Sequence, residues 1–205
     1  MAVLGAAAGG GGGITPTIAF LGSQTWVPAY EMEAYVYVIG GGGSGAAACN
    51  FSNPLLGGGA GGCAISKLTL ASGTTYTVTI GAGGARVSTT SYSAQSGNAG
   101  GTTSFSGSGI STMTGNGGTG GTGLGSNTTT GDGGAGGSAS GGTLSNFSGG
   151  KGGRNTLTEG SHRQRTGGGA VGLWATGNDA ADAVNNTADR FLHGGNLNYD
   201  LGTYA

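Results

Sequence analysis

The sequence predicts a mainly β protein with glycine-rich loops or polyglycine II helices and one short helix near the C-terminus. Glycine accounts for 53 of the 205 residues, about a quarter of the chain against an average near 7%. Charged residues make up only 7% and apolar residues 35%, whereas disordered chains are typically charged and poor in apolar residues. Strand-like segments also recur between the glycine tracts. Intrinsic disorder is the competing interpretation of this composition.

The first clear strand covers residues 31–39 and runs directly into the glycine tract 40–43. Its β-branched and aromatic residues fit a pleated, half-buried surface. Alternation places one set of apolar residues on a single face, which we predict to be the core face: Met32, Ala34, Val36 and Val38.

The glycine tracts need a different explanation, because glycine loses the most backbone entropy on folding and has no side chain with which to recover it. Such a tract must stay a loop or pack backbone against backbone. The threefold polyproline II conformation suits the second possibility, since its unbonded backbone groups can pair with neighbouring glycine helices where no side chain intervenes. Residues 117–123 and 131–137 have the small side chains that this packing needs.

Further strands are predicted at residues 64–70 and 74–80, where Ser72-Gly73 supplies a turn and the pair is the best hairpin candidate. Two short strands follow at residues 102–106 and 109–113. Residues 115–153 contain few sizeable apolar side chains. This region cannot build a conventional core, so it must pack on the strands or on other chains.

We divide the chain into three parts: an N-terminal attachment arm at residues 1–18, a glycine-rich β domain at residues 19–150 and a C-terminal segment at residues 151–205. The arm has an apolar tip followed by a glycine tract, which suits attachment to a larger body. The C-terminal segment holds the predicted helix, from Asp179 to about His193, with Asn178 as its cap.

Net charge and targeting patterns narrow the expected partners and location of the protein. The net charge of −1 and pI near 6 give no reason to expect nucleic acid as a partner. No apolar run approaches the ~20 residues of a membrane span, and the N-terminus lacks the basic region of a secretory signal. We therefore expect synthesis in a cytoplasm without export. Cys49 and Cys63 form a possible disulfide, because closing a loop of that size is stabilising, but a reducing compartment argues against it.

No residue set predicts catalysis, a cofactor or a metal site. The strand followed by Gly40-x-Gly42-x-x-Gly45 imitates a dinucleotide fingerprint, but no acidic residue occurs between Glu33 and Asp132 to hold a ribose. The chain has two histidines and no nucleophile elbow around any serine. The cysteines and histidines lack the short paired spacing of a zinc site. We expect a protein that is not an enzyme.

The order of three elements resembles the glycine-rich domain of bacteriophage tail-fibre and receptor-binding proteins. These elements are Trp26-Val27-Pro28, then residues 35–43 (YVYVIGGGG), then residues 76–84 (YTVTIGAGG). The resemblance covers about residues 20–110 and leaves the C-terminal third outside. It implies a small β-sandwich decorated by glycine loops or polyglycine helices, within a virion appendage and often trimeric.

The resemblance makes the leading expectation a structural virion protein, a tail-fibre or adhesin component for host attachment. It would be a homo-oligomer, most simply a trimer, that contacts other virion proteins and a host cell-surface glycan. The alternatives are a capsid decoration protein and an extracellular polyglycine structural or ice-binding protein; the irregular glycine spacing argues against the flat face that ice binding requires. Candidate glycan or receptor contacts are Lys151, Arg154, Arg163, Arg165 and Tyr92.

Overall fold

The computed structural model of the chain describes residues 2–7, 17–48, 55–90, 92–125, 131–154 and 175–180. Ten strands in this part form two antiparallel sheets, ordered β10-β5-β4-β1-β2 and β3-β6-β7-β8-β9. The strands are β1 Ala2–Ala7, β2 Thr17–Phe20, β3 Gln24–Trp26, β4 Met32–Ile39, β5 Cys63–Leu70, β6 Tyr76–Thr79, β7 Thr103–Gly107, β8 Met113–Gly115, β9 Ala139–Ser140 and β10 Ser145–Phe147. The predicted mainly β fold with a small sandwich is confirmed.

The two sheets enclose one hydrophobic core. From the first sheet, Ala34, Val36 and Val38 of β4 are fully buried, as the alternation predicted. From the second sheet, Tyr76 stacks on Phe105 with 5.4 Å between ring centroids. The hydroxyl of Tyr76 accepts a hydrogen bond from a backbone N–H at 3.0 Å, so its burial leaves no polar atom without a partner.

At one end of the sandwich the strands continue into extended segments that pair with one another in steps of three residues. We name the segments g1 (40–48), g2 (55–62), g3 (81–85), g4 (95–102), g5 (116–123), g6 (131–138), g7 (148–154) and g8 (175–180). Every third N–H of g1 donates to g2, at Gly40, Gly43 and Ala46, and the row between them donates to g4, at Gly41, Ser44 and Ala47. A three-residue step is that of the polyglycine II helix, so the segments are glycine helices rather than loops.

The order of the strands is kept in the glycine helices. The first sheet, in the order β10-β5-β4, continues into a layer g7-g2-g1, and the second, in the order β6-β7-β8-β9, continues into a layer g3-g4-g5-g6. Hydrogen bonds link neighbours within each layer and also join g1 to g4 and g5, and g2 to g5 and g6. The two sheets thus become a two-layered bundle held by backbone hydrogen bonds.

Glycine is a steric requirement inside this bundle. A Cβ added at Gly59 would lie under 3.0 Å from the backbone of Ala135, and one at Gly118 would meet Gly59 in the same way. On the outside the requirement disappears, since the nearest atom to a Cβ at Gly45 lies at 3.8 Å. Inner positions such as Gly59 and Gly118 therefore exclude every other residue, whereas outer positions such as Gly45 accept side chains.

The predicted hairpin between residues 64–70 and 74–80 is wrong. β5 pairs with β4 and β10, while β6 pairs with β3 and β7. The turn that includes Gly73, at φ 72°, carries the chain from one sheet to the other. Both strands have an apolar face that packs in the same core. Two strands can share a core when they face each other from opposite sheets as well as when they are neighbours in one sheet.

Two predictions concern the ends of the chain. The predicted attachment arm at residues 1–18 includes β1, which lies between β4 and β2 and pairs antiparallel with both, so its role in attachment stays a prediction. The predicted C-terminal helix lies outside the described residues apart from Asp179 and Ala180. At those two residues g8 runs beside g7, and Ala180 donates its N–H to the Lys151 carbonyl.

The steric requirement predicts opposite effects of one substitution at two positions. We expect Gly59→Ala to lower the free energy of unfolding by about 2–3 kcal/mol through overpacking, a fall in Tm of roughly 5–10 °C. Gly45→Ala is the control, and we expect it to leave Tm unchanged or raise it slightly, because alanine restricts the unfolded chain. Thermal unfolding of dilute protein followed by circular dichroism measures both. Equal Tm values for the two variants would contradict the assigned packing.

Candidate binding site at the loop end of the glycine bundle

At the end of the bundle farthest from the sandwich, here called the loop end, g1, g3 and g5 end and g2, g4 and g6 begin, so three connections, here called crossings, leave the bundle at this end. They connect g1 to g2, g3 to g4 and g5 to g6. Isolated backbone bridges close the ladders just before the crossings, between Ala47 and Gln95 and between Leu55 and Gly123. The N–H of Gly123 also donates to the hydroxyl of Ser96 at 3.1 Å. The bundle therefore fixes where each crossing starts and ends.

The crossing between g3 and g4 carries two exposed side chains with chemistry suited to ligand contact. Tyr92 is 75% exposed, against 61% for Tyr30 and 41% for Tyr35. Arg86, at the start of the same crossing, is also exposed. An exposed aromatic ring and a guanidinium can bind a sugar ring and an anionic substituent. Tyr92 is one of the predicted contact residues and stays a prediction in that role; Arg86 was not among them, although both lie in one polar stretch.

Lys151 and Arg154 lie together on g7, as their spacing on a threefold helix requires. Both pair with Asp132 on g6, at 3.0 Å from the Lys151 Nζ and 3.4 Å from the Arg154 Nε. The hydrogen bond from Lys151 and its charge hold the pKa of Asp132 below its ordinary value. The Asp179 carboxylate accepts a further hydrogen bond from the Lys151 backbone N–H at 2.6 Å. This cluster is thus an ion-pair network that ties g6, g7 and g8 together.

The predicted contact residues do not form one site. Tyr92 lies on the g3–g4 crossing. Lys151 and Arg154 lie on g7, and in the layer g7-g2-g1 the helices g2 and g1 stand between g7 and the side of the bundle where g3 lies. Arg163 and Arg165 lie outside the described residues. Asp132 was not among the predicted site residues; its signal was a single carboxylate inside an otherwise uncharged glycine tract.

Cys63 begins β5 on the outer face of the first sheet, where the residue is only 1% exposed and forms no disulfide with any described residue. Burial raises the pKa of this thiol to about 11. Cys49 lies outside the described residues, so the bridge between the two cysteines stays a prediction. A buried, protonated thiol is a poor nucleophile and a poor metal ligand.

Neither a metal site nor a membrane span emerges from the described ranges. No three metal-ligating side chains converge there, and no helix among those residues is long and apolar enough to cross a bilayer.

A sandwich whose sheets continue into a bundle of glycine helices defines a glycine-rich structural domain. The profile of a protein family described as "Glycine-rich domain" matches residues 15–204, and the chain belongs to this family. No curated protein matches it in sequence.

The burial of Cys63 predicts a slow thiol reaction. In a Cys49→Ala variant at pH 8, we expect maleimide to label Cys63 roughly a hundredfold more slowly in native protein than in unfolded protein, because only the thiolate reacts. In the native protein the pKa of the Cys63 thiol is about 11, against 9.0 for an ordinary thiol. The contribution of this protonated thiol to the free energy of unfolding is therefore fully present below pH 9 and is lost as the pH rises toward 11.

The wild-type chain, unfolded without reductant, provides the companion measurement. Two labelled thiols would exclude the predicted Cys49–Cys63 bridge, and none would establish it. Equal labelling rates in native and unfolded Cys49→Ala protein would contradict the burial of Cys63.

Proposed function

We propose that this chain is a non-enzymatic attachment protein, a tail-fibre or adhesin component of a virion whose loop end contacts a host-surface glycan. The observation that carries the proposal is the exposed Tyr92 and Arg86 on a crossing fixed at the end of a hydrogen-bonded bundle. Rigid scaffolds that display loops at one end are the usual arrangement for binding. The tail-fibre context comes from the sequence resemblance given above.

The bundle suits this role because it separates the loops from the sandwich. Its interior is almost entirely glycine backbone, with the buried Leu56 near the loop end, and its backbone groups hydrogen-bond to neighbouring helices. A loop on such a support changes sequence without disturbing the packing beneath it. Binding surfaces gain affinity when their supports are already ordered, since less entropy is lost on binding.

The sandwich end is the part that we assign to other virion proteins. Val27 and Tyr30 are exposed at the end opposite the loops, by 50% and 61%. Exposed large apolar side chains at one end are suited to an interface. Capsid decoration would use the same end, and the location of the protein on the particle, head or tail, distinguishes the two virion functions.

A second candidate function, ice binding, is favoured by one observation. The outer face of the g4-g5-g6 layer carries a side chain at every third residue and no glycine, in three aligned rows: Thr102, Asn116 and Ser138; Ala99, Thr119 and Ala135; Ser96, Thr122 and Asp132. This face is more regular than the glycine spacing suggested. Small polar residues on a flat lattice are the feature that ice binding needs.

The attachment proposal predicts a specific loss of binding. We expect Tyr92→Ala to weaken binding of the labelled chain to purified bacterial lipopolysaccharides or capsular polysaccharides about tenfold, the effect of losing roughly 1.4 kcal/mol of ring contact. Tyr30→Ala, at the opposite end, is the matched control and should bind as the wild type does. Binding that survives Tyr92→Ala and replacement of residues 86–94 by a glycine-serine linker would reject the loop end as the site.

Ice binding is tested by thermal hysteresis of the purified chain. If the g4-g5-g6 face binds ice, Thr119→Lys abolishes the hysteresis because a long charged side chain breaks the middle row, while Tyr92→Ala leaves it intact. A wild-type chain with no hysteresis eliminates this candidate and leaves the attachment proposal unaffected.

A further inference from the structure

The structure describes four of the seven lysine and arginine residues of the chain, and three of these four pair with a carboxylate. Lys67 lies 3.0 Å from Glu33, and the two cations on g7 both pair with Asp132. The fourth is Arg86, at the start of the g3–g4 crossing. No carboxylate of a described residue forms an ion pair with it.

The sequence explains why Arg86 has no such partner. No acidic residue occurs between Glu33 and Asp132, and both of these carboxylates already bind other cations. Arg86 is also the one charged residue in the three crossings at the loop end. These crossings are residues 49–54, 86–94 and 124–130. The crossings therefore carry a net positive charge, which attracts anions.

The backbone beside Arg86 is held by two neighbouring glycine helices. The carbonyl of Ala85 accepts a hydrogen bond from the side-chain amide of Asn98 on g4 at 3.0 Å. The N–H of Asn98 in turn donates to the hydroxyl of Ser44 on g1 at 2.8 Å. The other end of the crossing is fixed where Gln95 bridges to g1. Arg86 is therefore an exposed residue on an ordered backbone, and an ordered backbone loses less entropy when a ligand binds.

The chemistry of Arg86 and Tyr92 favours one class of sugar. A guanidinium is planar, stays charged at every physiological pH, and binds both oxygens of a carboxylate or phosphate with parallel hydrogen bonds. Tyr92, on the same crossing and 75% exposed, offers an aromatic ring for contact with a sugar ring. The two side chains together match a sugar that carries an acid group.

We propose that the glycan bound at the loop end is acidic, with Arg86 bound to its carboxylate or phosphate group and Tyr92 in contact with its sugar ring. This inference rests on the proposed attachment function and adds the chemical class of the ligand. A neutral glycan would leave the one charged residue of the crossings without a counter-charge. Bacterial surfaces supply the acid group as the carboxylate of a uronic acid in capsular polysaccharide or as phosphate in lipopolysaccharide.

Binding of the labelled chain to matched native and neutralised polymers tests the proposal. The probes are a uronic-acid capsular polysaccharide before and after reduction of its carboxyl groups to alcohols, and a lipopolysaccharide before and after dephosphorylation. We expect one native polymer to bind about tenfold more tightly than its neutralised form, and the pair that differs identifies the acid group. Arg86→Gln should bind the native polymer as weakly as the wild type binds the neutralised one. Lys67→Gln, on the outer face of the first sheet, is the matched control and should bind as the wild type does.

Added salt provides a check that needs no variant, because salt screens an exposed charge contact. It should weaken wild-type binding to the native polymer more than binding to the neutralised one. If the wild type binds both forms equally while Tyr92→Ala still weakens binding, the acidic class is wrong and the attachment proposal stands. An Arg86→Gln variant with the wild-type Tm and undiminished binding also overturns the inference. A wild type that binds none of these polymers overturns both proposals.

Discussion

Direct hydrogen bonding between neighbouring backbones is the interaction on which the glycine-rich half of this molecule depends. The N–H of Gly59 donates to Thr119 and the N–H of Gly118 donates to Gly41, each at 2.9 Å. Such approaches hold only where no Cβ stands between the helices. Among the described residues of the bundle, Leu56 is the one large side chain that is fully buried. The stability of the bundle therefore comes mainly from hydrogen bonds and close packing, which must offset the large entropy loss of ordering glycine.

The sandwich reduces that entropic cost because its paired strands hold the ends of the glycine helices in alignment. β4 and β5 are paired up to Ile39 and Cys63, and the next residues continue as g1 and g2 with Gly40 donating to Gly62. Each pair of glycine helices thus begins at a strand pair with fixed distance and register. At one junction the fully buried hydroxyl of Thr103 accepts the N–H of Gly81. The hydrophobic core of the sandwich therefore fixes an arrangement of the glycine helices that glycine sequences alone would not specify.

Local patterns in the sequence predicted the parts of the fold that depend on neighbouring residues. Alternation gave the core face of β4, and the small residues of 117–123 and 131–137 indicated polyglycine II packing. Pairing over longer distances could not be read in this way. β5 and β6 look like a hairpin because a turn joins them. Instead, β5 pairs with β4, to which it is connected through g2 and g1, and β6 pairs with β7, to which it is connected through g3 and g4. The same limit applies to the site: Tyr92 in a polar loop was predicted as exposed, but Asp132 and Lys151, 19 residues apart, meet only because g6 and g7 are neighbours.

The bundle also divides positions that the fold constrains from positions that it leaves free. Crowded inner positions such as Gly59 and Gly118 accept only glycine, and the bridges at Gln95 and Leu55 close the ladders before the crossings begin. The described residues of the crossings add no backbone bond to the ladders, so the crossings can differ in length and composition at little cost to stability. Outer rows have the same freedom, which the g4-g5-g6 layer uses by placing a side chain at every available position.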